Sequence, residues 1–151
     1  MNETEIKAAL LKVCETYGKL FAARLEQLYR NETRHFTSGN FLKTLSPGMQ
    51  ATSKSLPYGW KSLEQFWIAN PHFAPTGIFE QVENTSKLAT SIGKQKFMVF
   101  PSVYASMMSL SKLFSLRNNN FGTWFSTDPI KIEAYNKELD AIIPRIVRTF
   151  N

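Results

Sequence analysis

The sequence predicts an all-α, single-domain bundle of about five or six helices, spanning residues 1–151 and joined by irregular, aromatic-rich segments. Three observations lead there. Apolar residues recur at three- and four-residue steps over long stretches, the spacing that lines one face of a helix. Helix-starting and helix-stopping residues flank those stretches. With 151 residues, 43% hydrophobic and 20% charged, the chain can enclose one core and is too apolar for a disordered segment.

Ile6, Leu10, Val13, Tyr17, Phe21, Leu25 and Leu28 predict one helix from about residue 3 to 30. Asn2, with Glu5 three positions on, supplies its start; Glu3/Lys7, Glu15/Lys19 and Glu26/Arg30 stand four apart in the favourable order. Gly18 is its weak point, costing about 1 kcal/mol relative to alanine. A short helix follows from Gly39 to Leu45, stopped at Ser46-Pro47-Gly48, and the stretch from Met49 to Trp60 reads as irregular. Ser62 and Gln65 open a helix to Ala69 that Asn70-Pro71 ends.

Thr76 is placed to cap a helix bearing Ile78, Val82, Leu88 or Ala89, and Ile92, with Gly93 as its stop. Phe97 to Phe100 is too short to separate a strand from a buried connector. Pro101 and Ser102 start a helix whose apolar stripe is Val103, Met107, Leu110 and Phe114, ending at Arg117 and three asparagines. Phe121 to Phe125 reads as an aromatic loop or short strand. Asp128 and Pro129 open a last helix with the stripe Ile132, Tyr135, Leu139, Ile142 and Ile146, kinked at Pro144. The N- and C-terminal helices are expected to pack together.

Charge supplies the functional clue. The net charge is +6, yet residues 1–33 and 128–151 are each balanced. Residues 84–127 carry Lys87, Lys94, Lys96, Lys112 and Arg117 with no acidic residue, and a concentrated field of one sign attracts anionic partners. Aromatic residues lie among these cations. Single-stranded nucleic acid is held by that combination, cations tracking phosphates while exposed rings stack on bases. The expected contacts are Lys87, Lys94, Lys96, Lys112 and Arg117 to phosphate, with Phe121, Trp124 and Phe125 as stacking groups. Core packing is the competing reading for Phe97, Phe100 and Phe114.

Other chemistry finds little support. Cys14 is the one cysteine and reads as a small buried thiol; His35 and His72 read as structural or solvent-facing. No spacing of Cys, His, Asp or Glu matches a metal site, and Ser91-Ile92-Gly93-Lys94 fails as a phosphate loop because Leu88 stands where the first glycine belongs. The expectation is therefore a non-catalytic protein without a cofactor, binding RNA or single-stranded DNA within a larger complex. The alternative is a protein-interaction or structural component, with the aromatics from Tyr58 to Phe79 or the first helix as its interface. One cysteine, no basic-then-apolar opening and no long apolar run point to a cytoplasmic protein that does not enter membranes.

Overall fold

The computed structural model is described over residues 2–51, 59–82, 94–124 and 126–151, without the side chains of Val82 and Lys94. It is mostly helical: α1 (Glu3–Tyr17), α2 (Lys19–Thr33), α3 (Gly39–Thr44), α4 (Trp60–Ala69), α5 (Val103–Ser115) and α6 (Pro129–Asp140). Short 3-10 turns lie at Pro71–Phe73, Phe121–Trp124 and Val147–Thr149. Among the described residues no helix is long and apolar enough to cross a membrane.

The single N-terminal helix expected from the apolar spacing is two helices. Gly18, at φ 97 and ψ 163, turns the chain, and its N–H still reaches the Cys14 carbonyl at 2.8 Å. That positive φ suits glycine, which has no Cβ to clash. The three- and four-residue steps continue across the break through Tyr17 and Phe21, whose rings stack at 4.7 Å. Asn2 caps α1 as expected, accepting from the Glu5 N–H at 3.0 Å.

Helix α5 is the centre of the molecule. It packs on α1 and α4, and all but three of its residues, Tyr104, Lys112 and Ser115, are buried. The serines that interrupt its apolar stripe are therefore interior groups; Ser111 Oγ has no partner among the described residues, and the other two are bonded. Ser106 donates to the Leu45 carbonyl at 2.6 Å and accepts from the Tyr29 hydroxyl at 2.7 Å. Ser109 donates to the Ala105 carbonyl at 2.8 Å and accepts from the Trp67 indole at 2.9 Å. These bonds tie α2, α4 and the α3–α4 connection to α5.

The expected helix after Thr76 is overturned over its first part: Gly77–Val82 is a strand, β1, paired antiparallel with β2 (Lys94–Val99). Ile78 and Val82 are four apart, an even spacing that fits a strand's period of two as well as a helical turn. Cross-strand contact settles the matter, with Phe79 opposite Phe97 and Glu80 opposite Lys96. Met49–Ala51 lies on the other edge of β2, where the Met98 N–H donates to the Met49 carbonyl and the Ala51 N–H to the Lys96 carbonyl. Leu88, Ala89, Ile92 and Gly93 lie outside the described residues, as does most of the segment read as irregular.

Helix α6 starts at Asp128, whose carboxylate accepts from the Ile130 N–H at 3.0 Å. It stops at Asp140 rather than kinking and continuing. Pro144 crowds the carbonyl four residues back, which is that of Asp140. The chain beyond folds against α1 and α2, and Ile146, Val147 and Phe150 are buried there. Phe121–Trp124 is a 3-10 turn packed on α6, neither strand nor open loop.

Glu32 joins α2 to α6. Its carboxylate accepts from the Tyr135 hydroxyl at 2.6 Å, and burial raises its pKa, with the nearby Glu138 charge adding to the effect. A carboxyl raised on folding holds its proton longer in the folded state, so its contribution to stability falls as pH rises from the unfolded carboxylate range through the folded value. Glu32→Gln is therefore expected to flatten that part of the pH dependence and raise neutral-pH stability. The gain should stay below about 1 kcal/mol, because water reaches Glu32 and screens it. Urea unfolding of both proteins at acidic and neutral pH measures it.

Candidate nucleic-acid interface

Of the residues expected to contact nucleic acid, Lys96, Lys112, Arg117, Phe121 and Trp124 have described side chains. Lys96 stands exposed on β2 with its ammonium 3.7 Å from Glu80. Lys112 is half-buried in the last turn of α5, and Arg117 follows that helix, donating from Nη1 to the Thr123 carbonyl at 3.1 Å. Strand β2 packs on β1 and α3, and Lys96 and Arg117 precede and follow α5 in the chain. Lys87, the Lys94 side chain and Phe125 lie outside the described residues.

Phe121 cannot stack on a base. It is 1% exposed, lying 4.3 Å from the Phe114 ring on one side and edge-on to Phe21 at 5.0 Å. Phe114 of α5 and Phe21 of α2 draw it into the core, a packing decision that the cations nearby in sequence do not influence. Trp124 is half-buried, its indole hydrogen-bonded to Glu32 and its ring 6.0 Å from Phe114. Phe97, Phe100 and Phe114 are core residues as well.

A different set of donor side chains converges, three of them cations. A cleft of about 460 Å³ opens between the first turn of α1, the end of α2 and the C-terminal segment. Lys7, Arg30, His35 and Arg145 line it, and Glu3 is the one acidic residue on its wall. The first turn of α1 adds the positive end of a 15-residue helix.

The cleft is built on backbone strain. Arg34, His35 and Phe36 all have positive φ, at 50, 57 and 69 degrees, a conformation costing a non-glycine residue about 1 kcal/mol or more each. Hydrogen bonds hold the turn: the His35 N–H to the Arg30 carbonyl at 2.9 Å, the Ser38 N–H to the Thr33 carbonyl at 2.8 Å and the Phe36 N–H to Thr33 Oγ1 at 2.8 Å. Burial of the Phe36 ring against Tyr29 and Phe41 secures it further.

That turn fixes Arg30. Its Nε donates to Glu26 Oε2 at 2.7 Å, its guanidinium lies 5.2 Å from the centre of the Phe36 ring, and Nη1 donates to His35 Nδ1 at 3.3 Å. A guanidinium has no acceptor, so this contact leaves the His35 proton on Nε2. Glu26 is fully buried and also accepts the Ile146 and Val147 N–H groups, at 3.0 and 2.8 Å, which brings the Arg145 segment to the cleft. Glu26 offsets the charge of Arg30, leaving Lys7 and Arg145 as the cations that outnumber Glu3.

None of the four cleft residues was singled out by charge along the chain, because Lys7, Arg30 and Arg145 lie in the two balanced terminal segments. The Glu26/Arg30 spacing was the available signal, and it reads equally as a solvent-facing pair. No protein-family profile, curated protein or solved structure matches the chain.

Proposed function

We propose that this is a non-catalytic, cytoplasmic nucleic-acid-binding accessory protein that holds the phosphates of RNA or single-stranded DNA without reading base sequence. The observation that carries the reading is the convergence of Lys7, Arg30, His35 and Arg145, from three separate parts of the chain, on one cleft. Cations held near a rigid guanidinium suit phosphate oxygens, for which the arginine fork supplies directed donors. The net charge of +6 favours encounter with any polyanion.

Fluorescence anisotropy with labelled single-stranded oligonucleotides over a salt series tests it. Lys7 and Arg145 are exposed and make no ion pair among the described residues, so the Lys7→Ala/Arg145→Ala double variant is expected to fold normally. Losing two phosphate contacts should weaken binding and lower the slope of log affinity against log salt by roughly 1.4 for a single strand. An unchanged slope removes the cleft from the interface. A second reading, docking of a protein partner, draws support from Leu20, Ile68 and Ile130, which are 90%, 80% and 79% exposed. Size-exclusion chromatography coupled to light scattering, with no nucleic acid present, checks self-association as one form of it.

A further inference from the structure

We infer that the cleft takes a terminal phosphomonoester, the phosphorylated end of a strand, in preference to the phosphodiesters along it; this rests on the nucleic-acid reading above. The donor groups on the wall outnumber the two charged oxygens of a diester. Arg30, His35 Nε2, Lys7 and Arg145 are four donor groups in one cleft, whereas a diester offers two non-bridging oxygens and a single charge. A phosphomonoester offers three oxygens and between one and a half and two negative charges near neutral pH.

Shape points the same way. A surface that tracks a strand needs cations in a row, each meeting the next phosphate. Here the cations surround one cleft of about 460 Å³, in the size range of small-ligand sites, and its walls are the first turn of α1, a left-handed turn and a 3-10 turn. The two kinds of donor divide the work. Arg30 is fixed by Glu26, Phe36 and His35 before any ligand arrives, its side chain 10% exposed, so it sets the position of the phosphorus. Lys7 and Arg145 are exposed and free to close on the remaining oxygens.

The test compares one short labelled single strand in three forms, with 5′-phosphate, with 3′-phosphate and with hydroxyls at both ends, and adds adenosine monophosphate as an unlabelled competitor. At least one phosphorylated strand is expected to bind about tenfold tighter than the hydroxyl-ended strand. The 5′ and 3′ arms show which end is taken, and competition by the mononucleotide shows whether a free nucleotide suffices. The preference should vanish in the Lys7→Ala/Arg145→Ala variant and persist in Lys131→Ala, which lies away from the cleft on α6. Equal binding of all three strands overturns the inference and leaves the nucleic-acid reading standing. A preference that survives the double variant overturns it too, by placing the discrimination elsewhere. Failure of every strand to bind sinks both readings together.

Discussion

Replacing Glu26 by alanine is expected to destabilise the protein by about 3–5 kcal/mol, the range seen when one partner of a buried ion pair is removed. Glu26 is fully buried and makes three kinds of contact at once: Arg30 Nε, the Ile146 N–H and the Val147 N–H. Truncation leaves a guanidinium without its counter-charge and two backbone donors without an acceptor. An orphaned buried donor costs about 1–3 kcal/mol, so either loss alone is substantial, although the two do not add simply because the C-terminal segment can lift away and meet water. Glu26→Gln should recover only part of the loss, since its amide nitrogen turns a second donor toward groups that all donate. Urea unfolding gives the numbers; a cost under about 1 kcal/mol for Glu26→Ala would mean that the C-terminal segment docks by its apolar residues alone.

The way Glu26 works explains why the cleft was hidden in the sequence. Its spacing from Arg30 was plain, and the ion pair forms, but nothing local says that a pair four residues apart will be buried under residues 146–147. Local signals are dependable at most helix starts, but not at Ser62 and Gln65: α4 begins at Trp60, after Gly59 and without a side-chain cap. Asn2, Ser102 and Asp128 each accept a backbone N–H at a helix start, and the helices they open are present. What the sequence concealed are features decided by distant contacts. The strand at Gly77–Val82 depends on pairing with Lys94–Val99, and the burial of α5 on nearly every side draws on partners for Ser106 and Ser109. Charge tallied along the chain points to residues 84–127, whereas the cleft's Lys7, Arg30 and Arg145 come from the two balanced segments, which a tally along the chain passes over. Phe121 shows the complementary error: an aromatic beside a basic stretch looked available, while the core claimed it.

Gly122→Ala is the second substitution expected to have a large effect, at about 1–3 kcal/mol, and the reason is space rather than backbone freedom. A Cβ at this position would stand 2.5 Å from the Ile132 carbonyl oxygen, 2.6 Å from Asn136 Nδ2 and 2.8 Å from Ile132 Cγ2. The first of these is helix backbone and cannot rotate aside, so the 3-10 turn and α6 must part. Their separation would disturb the Asn120 side chain, whose oxygen accepts both the Gly122 N–H at 3.1 Å and the Asn136 amide at 3.0 Å. It would also strain the Phe121–Phe114 stack on one side and the Tyr135–Glu32 bond on the other. Gly39→Ala is the matched control: a Cβ there meets nothing within 4 Å, and the residue lies in the first turn of α3. It should be neutral or stabilising by up to about 1 kcal/mol, through the lower entropy of its unfolded chain. For a chain of this size each kcal/mol moves the thermal midpoint by about 2–4 °C, so parallel melting curves of the two variants separate a steric cost from a general intolerance of glycine replacement. Equal midpoints for both would show that α6 yields to the added methyl without loss.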